Sequence, residues 1–449
     1  MRSSIVLGFT ALAASVTAIP TISAKGAKFF TSEGNQYFVK GIAYQLTPDD
    51  PLANAEQCKL DSALMKTLGA NAIRVYHVDP TADHTSCMST FADDGIYLFL
   101  DLDTFTSQIE QETPSWTESQ FSAFQAVMDE FQQFDNTAGF FVGNEVLTTG
   151  NNSVAAPYVK AAARDMKAYR NSKGYREIPV GYSAADISSL RPNLQNYMAC
   201  GANASEALDF FALNAYEWCG DSSYTVSGYS QLNANVTDYN IPIFFSETGC
   251  NTPKPRTFDD QAAIFGSDMS QYWSGAIIYE WIQEGNDYGL ISYGPTVAST
   301  ATANGVYDGY SRTGTPTPIS PDFSNLSTQW ATLTPTGIAM SAYTPSNSAP
   351  SCPAYTSAQW DVNGDVALPS LGQIYNAEVS SSITAGTAAA SASPSASASG
   401  SGSAAAGTTG SATGTAASST STGMANPSKE IAGMSAGLVA VMIGFVWWL

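Results

Sequence analysis

The sequence predicts a (β/α)8 barrel followed by a disordered stalk, and three observations carry that expectation. Eight short apolar runs recur between residues 37 and 282. Each is rich in β-branched and aromatic residues and too continuous to face water on one side, as strands of a buried parallel sheet are. Longer amphipathic stretches lie between several of them, and eight β–α units in about 260 residues is what the barrel requires. A doubly wound open sheet is the alternative. Its usual Gly-rich phosphate loop after the first strand is missing from the sequence.

In order, the runs are "YFVKGIAY", "NAIRVYHV", "GIYLFLDLD", "GFFVGNEV", "IPVGYSA", "DFFALNAYEW", "IPIFFSE" and "GAIIYEWI". Between the third and fourth, Phe121, Phe124, Val127, Met128 and Phe131 repeat at helical spacing after a Thr117-x-x-Gln120 capping box. "PYVKAAARDMKAYRNSKG" reads as another helix, closed by Gly174.

Both ends read as processing signals. Residues 1–18 combine Arg2, an apolar run and small Val16 and Ala18, the pattern of a secretory signal peptide cut near Ala18. The end, "IAGMSAGLVAVMIGFVWWL", is nineteen residues without a charge. Small residues and a short polar spacer precede it, so 423–449 reads as a glycosylphosphatidylinositol (GPI) attachment signal, with a tail anchor as the alternative. Gly423 and Asn426 are the candidate attachment residues; Ala425 favours the first, and Pro427 counts against the second. Residues 381–422 are almost entirely Ser, Ala, Gly and Thr and cannot bury enough apolar area to offset their ordering entropy. They are expected to form a stalk, leaving 19–380 as the catalytic domain.

Composition narrows the function. With 18 Lys+Arg against 39 Asp+Glu, a net charge of −21 argues against nucleic acid and anionic membrane surfaces as partners. Only two histidines, His77 and His84, argue against a multi-histidine metal centre, and no metal or cofactor is expected. Cys58, Cys87, Cys200, Cys219, Cys250 and Cys352 imply three disulfides in a secreted chain, with fifteen pairings open. Asn151, Asn203, Asn235 and Asn325 head glycosylation sequons.

Two of the runs end on glutamate: Glu145 on the fourth strand and Glu247 on the seventh. In a (β/α)8 barrel the C-terminal strand ends form the site, so these carboxylates would face each other across one mouth. That pair suits glycosidic-bond cleavage, in which one carboxyl protonates the leaving oxygen and the other attacks the anomeric carbon. A lone strand-end glutamate is more often a solvated or salt-bridged residue; the pairing, with Asn144 beside one member to bind a sugar 2-hydroxyl, changes the balance. Tyr44, Gln45, Tyr76, Asp101, Asn144, Tyr216, Tyr279 and Tyr288 sit at or after strand ends and are expected to line sugar subsites. "GYSAA" at 181–185 resembles a nucleophile elbow but lacks its second glycine and a suitable histidine.

The runs "VKGIAYQ", "DPLANAEQCKLD", "NAIRVYHVDP", "GNE", "NAYEWCG", "FFSETGCN" and "YEWIQEGNDYGLI" resemble, in that order over about residues 25 to 345, the fungal GPI-anchored β-1,3-glucanosyltransferases of glycoside hydrolase family 72. The resemblance implies a retaining barrel enzyme with Glu145 as acid/base and Glu247 as nucleophile. It also implies the pairings Cys58–Cys87, Cys219–Cys250 and Cys200–Cys352, and the subgroup without a cysteine-rich carbohydrate-binding domain. Thr248 departs from the tyrosine common after the nucleophile, and "DLDTF" at 101–105 falls where the family varies. The implied substrates are β-1,3-glucan donor and acceptor chains. The implied place is the outer face of the plasma membrane and the cell wall, with the protein GPI-anchored and monomeric. A plain retaining β-1,3-glucanase and a non-catalytic glucan-binding surface glycoprotein are the competing readings. The first shares the glycosyl-enzyme step, and the second would need a damaged carboxylate pair.

Overall fold

The computed structural model describes residues 18–375, except 47–49, 302–304 and 365. The stalk, the anchor signal with Gly423 and Asn426, and nearly all of the signal peptide lie outside the described residues. Eight parallel strands close into a barrel: Val39–Ala43, Ala72–Val75, Tyr97–Asp101, Thr137–Asn144, Val180–Ala185, Phe210–Asn214, Ile243–Thr248 and Trp273–Ile278. These are called barrel strands 1 to 8. Strand 8 closes onto strand 1, with Gly275 opposite Val39 and Ile278 opposite Ile42. Every predicted apolar run contributes its strand.

A helix follows each strand: α1 (Ala55–Leu68), α2 (Thr85–Asp93), α3 (Glu118–Phe131), α4 (Ala156–Ser172), α5 (Arg191–Ala199), α6 (Tyr229–Ala234), α7 (Asp260–Phe265) and α8 (Asp322–Thr332). Local chemistry sets their ends. Asn54 accepts from the Gln57 amide at the start of α1, and Gly69 at φ 90° ends it. Thr117 and Gln120 form the expected reciprocal cap on α3.

The period of two along each strand divides the core. Val39, Ala43, Ala72, Tyr97, Phe99, Phe141, Phe210, Ala212, Phe244 and Ile277 belong to an inner cluster. Ile42, Ile73, Leu98, Leu100, Val142, Phe211, Leu213, Phe245 and Ile278 belong to the cluster between strands and helices. Ahead of the barrel, Ile22–Lys25, Lys28–Thr31 and Gln36–Tyr37 form a small antiparallel sheet that the apolar runs did not predict. It inserts Phe29 among Phe99, Phe210 and Phe244, with ring centroids 5.8–6.0 Å apart. That plugs the N-terminal end of the barrel and leaves the other end open for chemistry.

Three disulfides join Cys58 to Cys87, Cys200 to Cys352 and Cys219 to Cys250. They link α1 to α2, the end of α5 to the segment after α8, and the loop after strand 6 to the loop after strand 7.

Candidate active site

Arg74 organises the mouth. It is fully buried at an inward position of strand 2, between Ile73 and Val75, which face the helices. Its guanidinium grips Asp101 at the end of strand 3 with two hydrogen bonds, Nε–Oδ1 3.2 Å and Nη2–Oδ2 3.0 Å. It also donates to Asn144 Oδ1 at 2.9 Å, Ser183 Oγ at 3.1 Å and Glu247 Oε1 at 3.3 Å. Burial opposes its charge, but Asp101, Tyr76 and Glu247 outweigh that and hold it protonated. One cation thus ties together residues from strands 2, 3, 4, 5 and 7.

Glu247 is 8% exposed. Besides Arg74, it accepts from the Tyr76 hydroxyl on Oε1 at 2.9 Å and from the Tyr216 hydroxyl on Oε2 at 2.8 Å. Burial pushes its carboxyl up, while Arg74, Tyr216 and Tyr76 all stabilise the anion. Glu145 has a weaker set of partners: Asn214 Nδ2 donates to Oε1 at 2.9 Å. Burial, then the charge of Glu247, pushes Glu145 up to about 7. Both carboxyls are pushed up by burial, but Glu247 is offered three donors that favour its anion whereas Glu145 is offered one amide.

The backbone turns to present Glu145. It lies in the left-handed region at φ 50°, a conformation costing a non-glycine residue of order 1 kcal/mol. Its N–H donates to the Ser183 carbonyl at 2.9 Å, after a register shift between strands 4 and 5. Ser183, the serine of "GYSAA", is buried. Its Oγ lies 2.8–3.0 Å from Asn144 Oδ1, Asn214 Oδ1 and Ser246 Oγ, so it holds amides and attacks nothing. Asn144 Oδ1 receives Arg74, Ser183 and Asn214, which fixes the amide beside Glu145.

Gln45 donates to the Tyr279 hydroxyl at 2.8 Å and to Glu280 Oε2 at 2.6 Å. Tyr216, Tyr279 and Tyr288 form an edge-to-face triangle with centroids 5.4–6.4 Å apart. Tyr44 is not brought to the cleft. It is fully buried, packs against Phe91 of α2 and donates to Asp61 Oδ2 at 2.8 Å. The reason is parity: Ala43 faces the barrel interior, so Tyr44 faces the helices and Gln45 faces the mouth. Asp101 lies beneath the surface as the partner of Arg74, 2% exposed. Sequence reasoning missed Arg74, Asn214, Ser183 and Ser246. A charge at an inward position of an apolar strand was the available signal for Arg74.

Among the sequon residues, Asn151, Asn203 and Asn235 are exposed, while half-buried Asn325 donates its Nδ2 to the Arg256 carbonyl at 2.7 Å. Among the described residues, no helix is long and apolar enough to cross a membrane, and no cluster of His, Cys, Asp and Glu is placed to hold a metal.

A closed barrel that brings one glutamate from the end of strand 4 and one from strand 7 to the same mouth is the arrangement of a glycoside-active enzyme. The comparisons agree. The glucanosyltransferase model of glycoside hydrolase family 72 matches residues 11–308. The 1,3-beta-glucanosyltransferase gas2 of Schizosaccharomyces pombe is 39% identical over 359 residues, 77% of this chain and 74% of that protein. The 1,3-beta-glucanosyltransferase gel1 of Aspergillus fumigatus is 40% identical over 388 residues, 83% and 80% respectively. Some relatives are longer; the chain spans 56% of pH-responsive protein 2 of Candida albicans, at 46% identity over 305 residues and 66% of this chain. Among solved structures, a mutant of Saccharomyces cerevisiae Gas2p in complex with laminaritetraose and laminaripentaose superposes with a TM-score of 0.70. It is 38% identical and covers 79% of this chain and 75% of that one. The chain belongs to the glucanosyltransferase family, glycoside hydrolase family 72.

Proposed function

We propose that the chain is a retaining 1,3-β-glucanosyltransferase in which Glu247 is the nucleophile and Glu145 the acid/base. It cleaves one β-1,3-glucan chain and transfers the retained portion to the non-reducing end of another. The observation that carries the reading is the asymmetry of the pair: Glu247 receives a guanidinium and two phenol hydroxyls, whereas Glu145 receives one amide and is raised to about 7.

Glu247 attacks the anomeric carbon while Glu145 gives its proton to the departing oxygen, releasing the reducing-end fragment. The covalent glycosyl-enzyme is neutral at Glu247, so Glu145 keeps the effect of burial but loses the repulsion that added to it and, once it has given up its proton, acts as base toward the incoming hydroxyl. Asn144 Nδ2 donates to the sugar 2-hydroxyl, a contact that strengthens in the transition state. A double displacement calls for carboxyl groups about 5–5.5 Å apart.

Transfer must outrun hydrolysis. Water is abundant, but a held acceptor reaches effective molarities of about 10⁵ M or more. The Tyr216–Tyr279–Tyr288 triangle, on the loops after strands 6 and 8, is the acceptor platform. In the cell the domain works outside the plasma membrane on wall glucan, as a monomer on a glycosylated stalk tethered by a GPI lipid.

The test is product analysis with one defined laminari-oligosaccharide. The enzyme is expected to give chains both longer and shorter than the starting material, joined β-1,3, with the longer products increasing with acceptor concentration. Glu145→Gln and Glu247→Gln are each expected to abolish this while keeping the fold. Shorter products alone would make the protein a glucanase, and near-normal turnover in either folded variant would remove that residue from the mechanism.

A further inference from the structure

The loop after strand 3 carries an aromatic that the mechanism above does not use. Strand 3 ends at Asp101, and the chain leaves the mouth through Leu102, Asp103, Thr104 and Phe105. Phe105 is 58% exposed, although its ring is held against His77 with centroids 4.8 Å apart. His77 directly follows Tyr76, whose hydroxyl bonds Glu247. The loop is braced from within. Thr104 N donates to Ser107 Oγ at 2.9 Å, Ser107 N donates to the Thr104 carbonyl at 3.1 Å, and Ser107 is 6% exposed. A braced turn thus holds a large apolar ring in water against His77, the residue after Tyr76. Single exposed apolar residues are ordinary on protein surfaces. This one differs in being pinned at the mouth of a carbohydrate-active barrel, next to a carboxyl with unused capacity. Asp103 Oδ1 is buried and has no hydrogen-bond partner among the described residues.

We propose that Phe105, backed by His77 and flanked by Asp103, forms a donor-side subsite where a glucosyl ring of the β-1,3-glucan chain, beyond the sugar that is attacked, packs on the phenyl face. The inference rests on the glucan reading above. Strands 2 and 3 lie across the barrel from strands 6 and 7 in its closed order. A chain whose acceptor end meets Tyr216 after strand 6 and whose cleaved bond lies between the carboxylates therefore runs out over the strand 2 and strand 3 loops. The apolar C–H face of a pyranose covers the ring, and Asp103 lies beneath the same turn. Burial and the neighbouring Asp101 push the Asp103 carboxyl up to about 8, so at acidic pH it is protonated and both donates and accepts.

The experiment measures kcat/KM for a series of laminari-oligosaccharide donors, short to long, at fixed acceptor, in wild type, Phe105→Ala and Phe105→Trp. For Phe105→Ala the ratio of long-donor to short-donor efficiency is expected to fall roughly tenfold, mainly through KM, as loss of one buried aromatic contact implies. Phe105→Trp is expected to restore the ratio. In a Glu247→Gln background, the emission of the added tryptophan is expected to shift on titration with long but not short oligosaccharides. An unchanged ratio together with unchanged emission overturns the subsite. A loss confined to acceptor use overturns its donor-side placement. Failure of the wild type to use any laminari-oligosaccharide would instead overturn the glucan reading.

Discussion

Residue parity decides what reaches the mouth. In "NAIRVYHV" the inward positions are Ala72, Arg74 and Tyr76, and in "DFFALNAYEW" they are Phe210, Ala212, Asn214 and Tyr216. The last members of each series meet the two glutamates: Tyr76 and Tyr216 donate to Glu247, and Asn214 donates to Glu145. Their hydroxyls and amide set the pH profile. On the proposed mechanism the alkaline limb of kcat/KM is expected near pH 7, where Glu145 loses the proton that it would give to the leaving oxygen. The acid limb reports protonation of Glu247. Tyr216→Phe removes a donor to the anion, so the pKa of Glu247 rises and the acid limb moves to higher pH. The alkaline limb stays close to its place because Glu145 keeps Asn214. A Tyr216→Phe profile merely lowered in height, with both limbs unmoved, would mean that the hydroxyl does not stabilise the nucleophile.

At the scale of elements, long continuous signals were legible and short ones were not. All eight barrel strands were readable as apolar runs because both of their faces are buried. The capping box of α3 was readable because its chemistry is local. The four-residue strands of the N-terminal sheet were not, since "ISAK" and "KFFT" carry no period and gain their order from docking on the barrel. Glu145 and Glu247 were legible by placement. The Arg74 network was not, because its members come from separate strands and meet only on barrel closure.

His84 is a similar long-range device. It stands at the residue before α2 and lies fully buried, with Nε2 3.0 Å from Asp50 Oδ2 and Nδ1 2.9 Å from Glu130 Oε1 of α3. Only imidazolium has a proton for both carboxylates. Burial lowers its pKa, but the two carboxylate bonds outweigh that and raise it; Asp79 and Asp83 also feel its charge. A raised folded-state pKa makes this contribution full below the unfolded value and lost as pH rises through the folded one. The thermal midpoint is therefore expected to fall between mildly acidic and mildly alkaline pH by more in wild type than in His84→Gln. Parallel curves for the two proteins would rule out His84 as the source.

For the whole molecule, the two barrel ends divide stability from chemistry. The base is closed by Phe29, a fully buried ring touching Phe99, Phe210 and Phe244 of three barrel strands. The mouth holds the charges, and between them Phe141 packs against both Phe210 and the Arg74 guanidinium, 4.5 Å from its ring. Phe29→Ala would leave a cavity that the surrounding rings, fixed on β-strands, cannot collapse to fill. The cost is about 3–5 kcal/mol, a large share of the about 5–15 kcal/mol by which a folded domain is stable. Because the loss falls at the end remote from Glu145 and Glu247, the denaturation midpoint is expected to drop while kcat/KM, measured well below that midpoint, stays near wild type. An unmoved midpoint would mean that the N-terminal sheet does not fill the barrel base. A midpoint drop accompanied by an equal loss of kcat/KM in the folded variant would mean that the aromatic layer transmits packing to the carboxylates, joining the two ends that this structure keeps apart.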